Sequence, residues 1–305
     1  MGAAVEGGIL VAALEIQKRS FDKVYFSNKG VSRMPYCDLK NVKLHYELFP
    51  GDRELVTLVS GHMRTLRDFY SLAKFLVKNQ HSVLVLDNRG VGLTECSLDF
   101  SLDDLAGDIL ALWQEVGVRR SHIVGFSMGG LVAQVLARSR PEQLISMTLV
   151  SSFSLSRISE KSAASLAEWP STVDEIESFL GGYVSERFVD RNQPLIKAMA
   201  RQIHREIFAS NFLSRAKAQR NAIVQYRFFE RVPNPEILRN LRVQIVHGGQ
   251  DTIVPPKESE YLAAEYDQPR KVDFSEDGHL LLAENPTKLF GVILKHVTGD
   301  QKGPV

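Results

Sequence analysis

A chain of 305 residues with 44% hydrophobic and 24% charged side chains is long enough to bury one large core and has the composition of an ordinary globular protein. Its 37 basic and 36 acidic residues nearly cancel, so net charge gives no reason to invoke nucleic acid as a partner. Two cysteines, Cys37 and Cys96, exclude a disulfide framework and lack metal-ligand spacing, which fits a reducing, cytoplasmic location.

The first apolar run, residues 7–14, fails as a targeting segment. It is short, Glu6 precedes it where a signal peptide is basic, and Lys18-Arg19 follow it. Gly2 raises N-myristoylation, but Glu6 stands where serine or threonine belongs. No stretch reaches transmembrane length, so no membrane insertion is expected. Residues 1–34 read as an extension of uncertain order with a short helix over 9–19.

From 36 to 49 apolar and polar residues alternate around Asn41, the pattern of a hairpin at a sheet edge. Leu55-Val56-Thr57-Leu58-Val59 suits a strand buried on both faces and ends at Ser60-Gly61-His62. Phe69, Leu72, Ala73, Phe75 and Leu76 repeat at helical spacing, and Ser82-Val83-Leu84-Val85-Leu86 is the next strand, closed by Asp87-Asn88-Arg89-Gly90. A helix over 102–116 carries Leu105, Ile109, Leu112 and Trp113 as its apolar stripe. The strand His122-Ile123-Val124 then runs into Gly125-Phe126-Ser127-Met128-Gly129-Gly130 and a helix with Leu131, Val132 and Val135 inward, before a strand over 145–150. Repeated strand and helix units predict an α/β fold with a mostly parallel sheet and helices on both faces.

Residues 153–235 break this rhythm, with helix-like runs over 173–180, 194–208 and 213–229 and no buried strand. They read as a helical cap inserted at the carboxyl end of a strand, over the ligand-binding edge of such a sheet. Strands return at 243–246 and 271–274, and a last helix over 280–296 turns Leu281, Leu289, Val292 and Ile293 inward. The core therefore spans 35–152 and 236–298, and 299–305 form a polar tail.

Small residues two places either side of Ser127 let the chain turn tightly and lift the hydroxyl above the strand end. The helix that begins at Met128 points its free N–H groups and positive dipole end toward that turn, where an oxyanion would form. A serine hydroxyl needs a base, and the base an orienting carboxylate. His45, His81, His122, His204 and His296 lie within or at the ends of elements and read as packed or solvent-facing, whereas His62 and His247 each follow a strand. His279, in the turn Ser275-Glu276-Asp277-Gly278-His279, is the best base. Asp251, in the loop after the preceding strand, is favoured as the acid over Asp277, which is two residues from His279 and suits a turn cap.

On these motifs the chain resembles the α/β-hydrolase superfamily over about residues 36–297, in that family's Ser, acid, His order. Gly125-Phe126-Ser127-Met128-Gly129 looks like its nucleophile elbow, Gly248-Gly249-Gln250-Asp251 like its acid loop and Gly278-His279 like its histidine loop. The resemblance implies that Ser127 attacks, His279 moves the proton and Asp251 fixes the imidazole, with no cofactor. It also implies an oxyanion hole from the N–H groups of Met128 and His62, with Met63 as the second choice, although Ser60-Gly61-His62 stands where many relatives carry His-Gly. Serine at the elbow is unlike the haloalkane dehalogenase and epoxide hydrolase branches, which place aspartate there. The turn 87–92 resembles a brace for the site, with Arg89 holding loop carbonyls or a carboxylate. Asp108 reads as a solvated or packing carboxylate.

The reading is therefore a serine hydrolase cleaving a carboxylic ester or related acyl bond of a small molecule. Acyl transfer, lactone hydrolysis and carbon–carbon bond hydrolysis share the scaffold and stay open, as does a ligand-sensing receptor. A dinucleotide-binding domain is the weakest rival, because Ser60 to Thr65 lacks G-x-G-x-x-G. From Arg187 to Arg231 ten basic residues face only Asp190, Glu206 and Glu230. They form either a solvated face or, with Arg64 and Arg67, an attraction for an anionic or carrier-bound acyl substrate. Trp169, Phe179, Phe208, Phe212 and Phe228 line an acyl pocket or fill the cap core. Oligomeric state is not legible.

Overall fold

The computed structural model describes residues 36–158, 170–209, 211–226 and 240–300. The extension over 1–34 with its short helix, Trp169, Arg227, Phe228, Arg231 and most of the tail lie outside the described residues.

The strands are β1 (Tyr36–Leu39), β2 (Val42–Phe49), β3 (Arg53–Val59), β4 (His81–Leu86), β5 (Glu95–Cys96), β6 (Ser121–Phe126), β7 (Leu144–Val150), β8 (Val243–Gly248) and β9 (Arg270–Phe274). They form one sheet in the order β1-β2-β4-β3-β6-β7-β8-β9, with β5 pairing β2. From β4 to β9 every pairing is parallel, and β1, β2 and β5 are joined antiparallel at one side. The edge hairpin read from the alternation is present: Leu39 pairs Val42 across Lys40-Asn41. The central strand β6 is buried along its whole length, as a run covered on both faces requires.

The helices are α1 (Tyr70–Lys78), α2 (Leu102–Glu115), α3 (Met128–Ser139), α4 (Val173–Gly181), α5 (Glu186–Ala209), α6 (Phe212–Val224), α7 (Glu258–Glu265), α8 (Leu281–Glu284) and α9 (Pro286–Thr298). Helices α2 and α3 press Leu105, Ile109, Leu112, Trp113, Leu131 and Val132 onto one face of the sheet. Helices α1 and α9 press Leu72, Leu76, Leu289, Val292 and Ile293 onto the other. Two capping boxes, Ser101 with Asp104 and Thr172 with Glu175, fix where α2 and α4 begin.

Helices α4, α5 and α6 lie between β7 and β8 in the chain. Helix α5 starts earlier than the periodicity suggests and changes direction at Asn192 (φ −129°, ψ 22°), two residues before Pro194, whose ring and missing N–H break the helical ladder. The expected last helix is two helices. Pro286 removes a donor and keeps Asn285 out of helical geometry (φ −143°, ψ 57°), so α8 ends there and α9 begins.

The amino-terminal rim of the sheet carries a buried polar row. His122 Nδ1 lies 2.8 Å from Ser146 Oγ, and the rings of His81 and His122 meet edge to face at 6.1 Å. Burial pushes the imidazole of His122 down to about 4, helped by Arg242, His81 and Arg120 and opposed by Glu54. Burial likewise pushes His296 down to about 3, helped by Arg242, His122 and Arg270. Both are neutral in the folded chain, while the unfolded chain takes up their protons below about pH 6.5. Their contribution is therefore complete above that pH and is lost as the pH falls toward the folded values. Urea unfolding followed against pH should show this decline, and His122→Gln should reduce its slope by about 1.4 kcal/mol per pH unit between about pH 5 and pH 6.

Candidate active site

Ser127 stands between β6 and α3 with φ 52° and ψ −117°, a conformation that a residue with a Cβ rarely adopts and that is worth about 1–3 kcal/mol of strain. Its backbone is held on three sides. The N–H donates to the Val150 carbonyl at 2.9 Å, and the carbonyl accepts from Gly130 N–H at 2.9 Å and from Ser152 Oγ at 3.0 Å. The small residues around it are required by close approach. A Cβ on Gly129 would sit 2.0 Å from the Val59 carbonyl oxygen, and one on Gly125 would sit 2.3 Å from that of Gly129. These contacts let α3 start directly against the ends of β3 and β6, leaving Ser127 only 7% exposed.

The loops after β8 and β9 bring the expected acid and base together. His279 Nδ1 lies 2.8 Å from Asp251 Oδ2, with both side chains buried. The other carboxylate oxygen of Asp251 accepts the N–H groups of Ile253 (2.9 Å) and Val254 (2.8 Å), which fixes its rotamer. The His279 ring packs 5.0 Å from that of Phe126, the residue before Ser127, so the imidazole stands beside the elbow. Gly248 is what allows the two loops to meet, since a Cβ there would fall 2.0 Å from the Gly278 carbonyl oxygen.

Asp277, the competing carboxylate, turns away from this pair. It accepts from Arg187 at 3.2 Å and from Asn285 Nδ2 at 3.0 Å. His247 is buried beneath Asp251, with Nε2 2.8 Å from the Val254 carbonyl and 3.6 Å from Asp251 Oδ2. Burial keeps its pKa low in spite of that carboxylate, so it serves the acid loop as a neutral donor.

The loop after β3 places Gly61 against the elbow, with the position of its absent Cβ 3.2 Å from Ser127 Cβ. Met63 N–H is committed to Gln219 Oε1 at 2.8 Å, which removes it as an oxyanion donor and leaves His62 and Met128 as the backbone candidates. The His62 ring lies with Nε2 3.0 Å from the Ala216 carbonyl of α6, and burial lowers its pKa.

The turn after β4 acts as a strut. Asp87 accepts from Leu66 N–H and Leu93 N–H and meets His45 Nδ1 at 2.8 Å, while Asn88 Nδ2 donates to the Ser60 carbonyl. Arg89 makes a buried two-pronged pair with Asp108, 2.7 Å on each arm, so both belong to packing.

Three contributors from outside the three motifs carry no sequence signal. The Tyr183 carbonyl accepts from His279 N–H at 2.9 Å and Leu280 N–H at 3.0 Å, and its ring meets His279 edge-on at 5.5 Å. Glu284 accepts from Ser185 N–H at 2.8 Å and Gly278 N–H at 2.9 Å. Gln219 joins Met63 to the Arg89 carbonyl, to which it donates at 2.8 Å. Of the aromatic residues read as pocket or cap core, Phe212 is buried and Phe179 packs on Tyr183 at 4.9 Å, but Phe208 does neither: it lies 67% exposed at the end of α5.

A protein family described as alpha/beta hydrolase fold matches residues 50–286. A protein named carbamate hydrolase RutD in Variovorax paradoxus (strain S110) is 33% identical over 114 residues, 36% of this chain and 43% of that one, so the chain spans less than half of its length. The dihydrolipoyllysine-residue acetyltransferase component of the acetoin cleaving system of Cupriavidus necator is 25% identical over 278 residues, 87% of this chain and 69% of that one. Among solved structures, MGS-M2, an alpha/beta hydrolase enzyme from a Medee basin deep-sea metagenome library, superposes with a TM-score of 0.76 at 16% identity, covering 89% of this chain and 99% of its own.

Gly248→Ala should lower the urea midpoint by an amount equivalent to about 1–3 kcal/mol, because its Cβ meets backbone that cannot rotate aside. The same variant should disturb the His279 imidazole signal in NMR spectra while leaving that of His122, at the opposite rim, in place.

Proposed function

The chain belongs to the alpha/beta hydrolase family, and from that membership we infer that it is a serine hydrolase acting on a carboxylic ester or related acyl bond through an acyl-enzyme. The observation that carries this reading is the 2.8 Å contact between Asp251 Oδ2 and His279 Nδ1, made by two loops at the rim where β6 delivers Ser127. With its Nδ1–H donated to Asp251, the imidazole has its Nε2 lone pair ready to accept the Ser127 proton. Ser127 Oγ then attacks the acyl carbon, and the oxyanion is met by the N–H groups of Met128 and His62. His279 returns its proton to the leaving alcohol, and a water activated by the same imidazole releases the acid. The substrate is a small acyl compound, and the insertion between β7 and β8 serves as a cap over the site.

A second reading, acyl transfer, draws on the name of the Cupriavidus necator relative and differs only in which acceptor reaches the acyl-enzyme.

Labelling with a fluorophosphonate probe should add its mass to the peptide containing Ser127 and to no other. Ser127→Ala and His279→Ala should each lower kcat on acyl p-nitrophenyl esters by about 10⁴- to 10⁶-fold, both with a native-like circular dichroism spectrum and Ser127→Ala with an unchanged unfolding midpoint. Asp251→Asn should cost about 10⁴-fold and Asp277→Asn leave kcat near the wild-type value, which separates the two carboxylates. Product analysis with added alcohols or thiols distinguishes hydrolysis from transfer.

A further inference from the structure

Helices α5 and α6 follow one another in the chain and touch, and the corner between them carries exposed apolar and basic side chains, Phe208 resting on the His204 ring at 4.9 Å. Phe208, 67% exposed, and Leu213, 52% exposed, are the two most exposed large apolar side chains among the described residues. They stand five residues apart in the chain, so no more than about 18 Å separates them. Behind Phe208 on α5 come Arg205, Arg201 and Lys197, all exposed. At 100° per residue these four side chains fall within about 80° of arc, a single stripe. On α6, Leu213 is followed one turn later by the exposed Lys217. None of these four cations is in an ion pair among the described residues.

Acidic residues are missing from the sequence where they would neutralise the stripe. None occurs between Arg191 and Arg205 or within α6. Glu206 is turned aside, accepting from Gln202 at 3.0 Å and acting on Arg64 at the rim of the site. An exposed aromatic and an exposed aliphatic side chain, bordered by cations in no ion pair among the described residues, match the layering of a lipid interface: acyl chains take the apolar pair and phosphate headgroups take the cations. An acidic protein would answer the cations and leave Phe208 and Leu213 in water.

We propose that the α5–α6 corner docks this protein onto membrane surfaces containing anionic phospholipid, by adsorption. No described helix is long and apolar enough to cross a bilayer. The inner side of α6 holds His62 through the Ala216 carbonyl and Met63 through Gln219, so the helix that rests on lipid is also the one that borders the candidate oxyanion loop. Taken with the hydrolase reading, on which this consequence rests, the corner directs the site toward acyl esters held in the membrane surface.

The test is cosedimentation of the full chain with vesicles of phosphatidylcholine alone and of phosphatidylcholine with phosphatidylserine in equal parts, at low and high salt. The wild type should pellet with the mixed vesicles, at least about tenfold more tightly than with phosphatidylcholine, and salt should weaken it. R201E with R205E, and separately F208S with L213S, should each reduce that binding by about tenfold or more. All these positions are exposed, so both double variants should keep the wild-type unfolding midpoint and its kcat/KM on a short soluble ester. Equal affinity for both vesicle types, binding that neither double variant weakens, or binding to polyglutamate in place of vesicles would overturn the proposal. If no ester is cleaved while vesicle binding behaves as stated, the hydrolase reading fails and the docking surface stands.

Discussion

Ser127 holds a backbone conformation that its own side chain disfavours, and much of the surrounding packing exists in the form it does because that conformation must be over-determined. The carbonyl of Val150 in the neighbouring strand, the first turn of α3 and the hydroxyl of Ser152 each hold one of its backbone groups. Gly129 brings the helix so close to the end of β3 that a Cβ there would lie 2.0 Å from the Val59 carbonyl oxygen. Strain of a few kcal/mol is thereby spread over three strands and one helix, and the hydroxyl is raised at the carboxyl rim.

A parallel sheet then does the rest of the positioning. Neighbouring parallel strands release their loops at the same edge, so the candidate nucleophile, acid and base can come from β6, β8 and β9 while the candidate oxyanion loop comes from β3 on the other side of β6. The acid loop and the histidine loop reach one another because Gly248 lets backbone touch backbone. On the same rim, Asp87 and Asn88 tie the turn after β4 to the loop after β3.

How much of this was legible in the sequence depended on whether the constraint was local. The elbow shows itself because the residues that permit it are its immediate neighbours, and Asp251 and His279 are found by asking which loops leave strands at the same edge. The edge hairpin and the buried strands follow from period and run length, and Pro286 explains why one helical pattern became two helices. The contributions of Tyr183, Gln219 and Glu284 were beyond reach. Two act through long-range side-chain contacts with backbone N–H groups and one mainly through a carbonyl, which any residue type possesses. The basic run was visible as composition, but only the fold separates Arg187, paired with Glu276 and Asp277, from the stripe on α5, which is in no ion pair among the described residues.

The Tyr183 carbonyl, which receives two N–H groups from the histidine loop, has a bearing on how such a protein diversifies. Together with Thr252 donating to the Gly182 carbonyl and Glu284 bridging Ser185 to Gly278, it makes residues 182–185 part of the scaffold of the imidazole as well as part of the insertion. A chimera that exchanges the whole segment between β7 and β8 for another would discard that scaffold with it. Point changes along α5 and α6 leave that scaffold in place, whereas grafting of the whole segment has to preserve this short stretch of main chain.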